Sequence, residues 1–380
     1  MAKLGEICSL QSGGTPARSN AEYWVNGTIP WVKISDIEGK HLHHTEERIT
    51  KKGLENSSAK VFPKGTILYT IFATLGEVCF LDIDAATNQA IVGLQVTSKD
   101  VLPDYLYYFL LSKKEQVNKQ GRGVAQNNIN MSILKEMEVV LCPLAIQQKI
   151  VKQLDKVSDL IALHKQQLVK LDELVKSRFI ELFGDTILNP FGWEKNILGI
   201  VCDVRDGTHD SPQYYEIGYP LVTSKNVTGG KIDLTGCSLI CEADFKKINE
   251  RSKVDIGDII MPMIGTVGKP VVVDIEPNFA IKNVALIKFR TNSKVLNSYI
   301  RALLQSDYFD DAVFNKVRGG TQKFISLGDI RKLEVLVPSM EVQNQFADFV
   351  EQSNKSKLKI QTTLIKLETL KKALMQQYFG

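Results

Sequence analysis

A chain of 380 residues, 44% hydrophobic and 24% charged, is ordinary globular material with enough length for two domains of average size. No apolar run approaches the ~18 residues a bilayer span needs, and the opening MAKLGEICSL lacks the basic and apolar regions of a signal peptide. The expectation is therefore a cytoplasmic protein with no membrane partner. A net charge of +4 permits contact with nucleic acid without announcing it.

Taken in order, the chain reads as a duplication with a period of about half its length, too long for a solenoid repeat. The first half opens on a turn-rich segment, Ser12 to Trp24, followed by an alternating strand-like run, Thr28 to Ile37. An apolar hairpin follows from Lys64 to Ile83, with Gly76 at its turn, then an amphipathic helix from Asp104 to Lys119. A glycine-basic loop, GRGVAQNNI (Gly121 to Ile129), leads into a short strand, MEVVLCP. The second half repeats the order: DGTHDSPQYY (Asp206 to Tyr215), GYPLVTSKNV, a hairpin from Ile256 to Ile275 with Gly268 at the turn, a helix from Ser298 to Lys316, VRGGTQKFI (Val317 to Ile325) and LEVLVP. A linker near Asp185 to Trp193, marked by Pro190 and Gly192, divides the halves.

Each half ends in a stretch without Gly or Pro. The first, Ala145 to Phe183, lies between Pro143 and Gly184, and the second, Ser339 to Phe379, between Pro338 and Gly380. Ile150, Leu154, Val157, Ile161, His164, Leu168, Leu171 and Val175 follow a 4-3 spacing that keeps one seam facing a partner helix. The second seam is Phe346, Val350, Ser353, Lys357, Ile360, Leu364, Leu367 and Leu374, in which Ser353 and Lys357 interrupt the apolar stripe. Forty residues at about 1.5 Å each make a rod of nearly 60 Å. Connectivity then predicts an α+β protein with internal pseudo-two-fold symmetry, in which two globular domains, 1–143 and 185–338, are separated by antiparallel long helices, 144–184 and 339–380.

Catalytic signatures are missing. The phosphate-cradling GxxxxGK[ST] pattern, GxSxG and HExxH do not occur. NPFGW (Asn189 to Trp193) resembles the NPPF-type loop of adenine methyltransferases, but it lacks the second proline and falls in the linker. The six cysteines, Cys8, Cys79, Cys142, Cys202, Cys237 and Cys241, contain no CxxC pair and read as reduced thiols. His41, His43 and His44 sit on a loop without carboxylates at useful spacing and read as solvated surface. Neither a metal nor a cofactor is expected.

What remains is binding chemistry at matched positions of the two halves. Arg122, Gln126 and Asn127 in one glycine-basic loop correspond to Arg318, Gln322 and Lys323 in the other. Guanidinium groups suit guanine edges or phosphates, and amides suit adenine edges. Thr15, Arg18 and Lys33 in the first half, and Thr208, His209 and Lys225 in the second, add candidate DNA donors.

With SGGTPARSNAEYW, IPWVKISDI, DGTHDSP, the two glycine-basic loops, CPLAIQQKIVKQLD and VPSMEVQNQFADFVE on the page, the chain resembles the specificity (S) subunits of Type I restriction-modification enzymes along nearly its whole length. The resemblance implies two target recognition domains, each reading half of an interrupted, asymmetric sequence in double-stranded DNA, and paired helices that act as a ruler. It also implies docking of two modification subunits carrying S-adenosylmethionine, with ATP-driven restriction and motor subunits in the full complex and neither cofactor on this chain. The second helix opens with PSMEVQNQ where the family pattern is proline-leucine-glutamine, so that contact surface departs from the type. A cytosolic coiled-coil scaffold with two protein-binding heads is the rival from another class, and a stand-alone methyltransferase is the third reading.

Overall fold

In the computed structural model, residues 1–121, 129–264, 269–314 and 324–380 are described. The chain divides into two compact units, one of Met1–Lys165 with Thr362–Gly380 and one of Gln166–Gln361. Arg122, Gln126, Asn127, Gly268, Arg318, Gln322 and Lys323 lie outside the described residues. No helix among the described residues is long and apolar enough to cross a membrane.

Among the described residues, the first unit carries a five-stranded sheet in the order Cys8–Ser12, Ile91–Val96, Ile67–Thr70, Val78–Leu81, His41–Leu42. A second sheet runs Glu47–Ile49, Ile29–Val32, Ala85–Thr87, Val61–Phe62. The other unit repeats both plans with one edge strand fewer each: Asp203–Asp206, Val284–Lys288, Ile259–Pro262, Val271–Val272, and Ser238–Ile240, Tyr219–Val222, Ala280–Ile281. The expected hairpins are present, Ile67 opposite Phe80 and Ile259 opposite Val272, and Gly76 takes the left-handed conformation (φ 79°) its turn requires. Duplicated sequence has produced duplicated topology.

Two expectations need correction, each for the same reason in both units. The alternating runs from Thr28 and Gly218 give strands of four residues, not ten. In one, the Lys33 amide donates to Asp36 Oδ2 (2.7 Å) and the chain turns into a 3-10 helix at Ile34–Asp36; in the other, the Thr223 amide donates to Asn226 Oδ1 (3.0 Å) before Ser224–Asn226. The single helices expected at 104–119 and 298–316 are each broken into two, Pro103–Ser112 with Lys114–Gly121 and Asn297–Leu303 with Asp307–Phe314. At both breaks a serine hydroxyl donates to the carbonyl three residues back, Ser112 to Phe109 and Ser306 to Leu303 (2.6 Å each), which ends the regular helical pattern.

The long helices are Leu144–Phe183 and Met340–Phe379. Within each unit their segments run antiparallel. Lys165 pairs with Glu368 (3.3 Å) and Tyr378 bonds Gln153 in the first unit, while Lys357 pairs with Asp172 (2.5 Å) and Phe346 packs on Phe179 (ring centroids 5.6 Å apart) in the second. All the seam positions named above are buried or half-buried. Ser353 and Lys357 stay in the seam, the lysine drawing its charge toward Asp172.

Ser353 Oγ is buried with no hydrogen-bond partner among the described residues. Such a hydroxyl costs stability, so Ser353→Ala should stabilise the second unit by about 1 kcal/mol. Urea unfolding reads this directly, and a loss of stability would mean that the hydroxyl has a partner.

One joint repeats atom for atom. Fully buried Gln147 accepts from the Leu102 amide (2.9 Å) and donates to the Asp100 and Cys142 carbonyls (2.8 Å each). Fully buried Gln343 accepts from the Leu296 amide (2.8 Å) and donates to the Lys294 and Pro338 carbonyls (2.9 Å each). Beside them Tyr105 OH donates to Val140 O (2.8 Å) and Tyr299 OH to Leu336 O (2.9 Å). Each glutamine thus ties the start of a long helix to the start of the helix packed under the sheet. The position is set by main-chain groups, which any sequence supplies.

NPFGW also has a structural job. Asn189, in the left-handed region (φ 48°), accepts from the Trp193 amide (2.8 Å) and donates to its carbonyl (2.9 Å), while Trp193 Nε1 donates to Phe183 O (3.1 Å) at the end of the first long helix. The asparagine amide is consumed in closing the loop over a helix end.

Candidate nucleic-acid interface

The turn segments that carry the candidate residues are pinned to the sheets by main-chain bonds at equivalent places. Gly13 N–H donates to Ile91 O (3.0 Å) and Gly14 N–H to Thr87 O (2.8 Å); Gly207 N–H donates to Val284 O and Thr208 N–H to Ile281 O (3.0 Å each). Glycine is required for this approach, since a Cβ on Gly13 would lie 2.4 Å from Thr87 O and one on Gly207 2.4 Å from Ile281 O. Counted from Gly14 and Thr208, Thr15 corresponds to His209, and counted from Thr87 and Ile281, Gln89 corresponds to Asn283, in a turn that is one residue shorter in the second unit. Both pairs are bonded: Thr15 Oγ1 donates to Gln89 Oε1, and His209 Nδ1 lies 2.8 Å from Asn283 Oδ1.

Arg18 and Lys33 gather around Glu47. Arg18 pairs with Glu47 and lies over the Trp24 ring (3.7 Å) and the Trp31 ring (4.7 Å). Lys33 pairs with Glu46 (2.7 Å) and Glu47 (3.1 Å), and these two carboxylates raise its pKa. Burial pushes the Glu47 carboxyl up, but Arg18 and Lys33 outweigh it and hold the group below the usual range. Both cations are therefore presented with a local counter-charge.

In the second unit His209 is the centre. Its Nε2 lies 2.8 Å from Oδ2 of buried Asp206, whose other oxygen pairs with Arg251, and the Arg205 guanidinium reaches the Arg251 carbonyl (2.8 Å). Thr208 Oγ1 accepts from the Asp210 amide (3.1 Å), Lys282 Nζ donates to Ser211 Oγ (2.7 Å), and Lys225 is exposed on its 3-10 turn. With an amide oxygen on one ring nitrogen and a carboxylate on the other, the imidazolium is favoured. Asn283 first and Asp206 second raise the His209 pKa, while Arg251 opposes them.

The expected sign follows. A histidine raised in the folded state adds stability below its ordinary value of about 6.5, and that contribution is lost as pH rises through the folded-state pKa. NMR titration should place His209 above 6.5 and should move it further up in Arg251→Ala; a downward move would remove Arg251 from this network.

Sequence reasoning missed Gln89, Asn283, Arg251 and Lys282, because each meets its partner only through the tertiary fold: Gln89, Asn283 and Lys282 beside paired strands, and Arg251 near the end of the helix Glu242–Ser252. It also missed the carboxylate near the histidine loop: His41 Nδ1 and His43 Nδ1 lie 3.2 and 2.9 Å from the two oxygens of Asp82, on a neighbouring strand end. Ile129 and Ile325, the last residues of GRGVAQNNI and VRGGTQKFI, are anchored alike, by Ile129 N–H to Ile71 O (3.2 Å) and Ile325 N–H to Met263 O (3.0 Å). All six cysteines are free, and burial pushes the thiols of Cys8, Cys79 and Cys202 up to about 12.

Comparison with known proteins places these features. The family model described as Type I restriction modification DNA specificity domain matches residues 1–173 and again 190–369, the two halves of the repeat. The Type I restriction enzyme MjaIX specificity subunit of Methanocaldococcus jannaschii is 28% identical over 406 aligned positions, covering 98% of this chain and 90% of that one. The crystal structure of a Type I restriction-modification S subunit from M. genitalium superposes with a TM-score of 0.57 at 16% identity, covering 100% of this chain and 95% of that one. A chain from a structure on complex assembly and conformational transition of the Type I R-M system gives a TM-score of 0.59 at 19% identity, covering 100% and 96%. These two likenesses speak to fold.

Proposed function

This chain belongs to the Type I restriction-modification DNA specificity family, as a non-catalytic specificity subunit, and we propose that its two units read the unlike halves of one interrupted, asymmetric sequence in double-stranded DNA. The long helices set the gap between the half-sites and dock two modification subunits. Those subunits supply S-adenosylmethionine and adenine methylation, restriction subunits supply ATP-driven work, and this chain binds neither cofactor. The assembly acts in the cytoplasm.

The observation that carries this reading is a common frame with dissimilar tips. Main-chain bonds hold the turn segments in the same place in both units, while Thr15 and Gln89 in one stand against His209 and Asn283 in the other. Phosphate contacts would position each unit and a few base-edge contacts would specify sequence. Thr15, Arg18, Lys33, Arg122, Gln126 and Asn127 are the candidates for one half-site. Thr208, His209, Lys225, Arg318, Gln322 and Lys323 are those for the other.

The test is to map methylated adenines in DNA from cells carrying this chain with its modification subunits. Two different short sequences at one fixed spacing are expected. Identical half-sites, or a variable gap, would overturn the reading. Binding by the assembled complex should also weaken steeply with salt. Salt-insensitive binding without sequence preference would favour the protein-binding scaffold instead.

A further inference from the structure

One pair of side chains stands two residues past the strand residue, Thr87 or Ile281, that each turn bonds to, with its chemistry changed. Gln89 follows the strand Ala85–Thr87, and Asn283 follows Ala280–Ile281, the strands that pair in parallel with Ile29–Val32 and Tyr219–Val222. In each unit the amide oxygen is occupied, by the Thr15 hydroxyl in one and by His209 Nδ1 in the other. Gln89 Nε2 and Asn283 Nδ2 have no hydrogen-bond partner among the described residues. Gln89 is exposed and Asn283 half-buried.

The second member is placed by its backbone. Asn283 sits at φ 54°, a left-handed conformation that asparagine adopts more readily than other residues with a side chain. It follows Lys282, whose N–H is bound to Val222 O (2.9 Å). A primary amide fixed through its oxygen, with its NH2 unpaired, is a directed donor. The major groove offers it purine N7, guanine O6 and thymine O4.

We propose that Gln89 and Asn283 are specificity-determining residues, each donating its amide N–H to an acceptor on a base edge in its own half-site, with Thr15 and His209 as the positioning residues that aim them. The proposal rests on the function proposed above and names the residues that make its two half-sites differ. One well-placed side-chain contact to a base discriminates by about 1–3 kcal/mol, a ratio of roughly 5- to 150-fold.

The test uses the complete complex with its modification subunits and a panel of duplexes carrying every single-base change in each half-site. Gln89→Leu keeps the bulk and removes the amide. Asn283→Gly removes the amide and keeps the left-handed backbone, and Asn283→Asp keeps the shape and removes the donor. Each should lose about 5- to 100-fold of discrimination at one position of one half-site, with the other half-site unchanged. Thr15→Val should mimic Gln89→Leu, and Thr15→Ser should restore discrimination. Equal loss across both half-sites, or unaltered discrimination, would overturn the assignment while leaving the wild-type reading intact. A wild-type complex that selects no sequence would instead defeat the proposed function itself.

Discussion

Inserting four residues into both long helices, after Leu168 in one and after Leu364 in the other, should lengthen the tolerated gap between half-sites by about two base pairs. Both half-sites should stay the same. Four residues add about one turn, roughly 6 Å, and B-DNA rises about 3.4 Å per base pair. The insertion points lie between Lys165 and Asp172 in one helix and between Lys357 and Glu368 in the other; Lys165 pairs with Glu368 in the first unit and Asp172 with Lys357 in the second. A matched insertion therefore shifts both seams together and preserves their facing register, whereas an insertion in one helix alone sets apolar positions against polar ones. The single-helix variant should lose sequence-selective binding by more than ~100-fold, since both units can no longer engage one duplex together. Methylation mapping with a library of gap lengths reads the result. A doubly inserted protein that keeps the original gap would end the idea that these helices measure distance.

Replacing the buried glutamines should have the largest effect on stability. Gln147→Leu leaves the Leu102 amide and the carbonyls of Asp100 and Cys142 without partners, and Gln343→Leu does the same to Leu296, Lys294 and Pro338. An unpaired buried polar group costs about 1–3 kcal/mol, so each variant should lose roughly 3–5 kcal/mol, a large share of the 5–15 kcal/mol typical of a folded protein. The similar volume of leucine removes cavity formation from the comparison. Urea unfolding gives the size of the loss, and amide hydrogen exchange should confine it to the unit carrying the change. A loss below about 1 kcal/mol would mean that the joint is held by Tyr105, Tyr299 and the surrounding core rather than by the amides.

Much of the fold was legible because its signals are periodic. The 4-3 spacing of Ile150 through Val175 survives in the burial of those residues, and the absence of Gly and Pro left both long helices unbroken. The hairpins announced themselves by apolar runs around glycine. Non-periodic features escaped: Ser112 and Ser306 end helices through a hydroxyl to a carbonyl, a bond available to any serine and decided by packing. Gln147 and Gln343 looked like ordinary polar positions near a helix start, since two of the three partners of each come from a segment more than forty residues away.

The candidate interface was legible in kind more than in membership. Glycine-rich turns with basic and amide residues pointed to the segments at Gly13 and Gly207, where the structure finds a backbone approach too close for a Cβ. Arg18 and Lys33 were visible as charges, but not as charges tethered to Glu46 and Glu47. Gln89 and Asn283 were invisible because parallel strand pairing brings them beside turns some seventy residues earlier.

The way Gly13–Gly14 and Gly207–Thr208 are fastened has a bearing on how such a protein changes over generations. Because main-chain bonds, with Trp31 Nε1 on Gly14 O and Ser252 Oγ on Asp206 O, fix where these turns lie, replacing the neighbouring tip residues leaves those bonds in place. Mutation at exposed Gln89 thus costs folding little while it alters what is touched outside, whereas His209, and Asn283 in the left-handed region, carry part of the local stability. Recognition can therefore drift at such a tip position while the turn stays fastened, and a lineage can acquire a new target without passing through an unfolded ancestor.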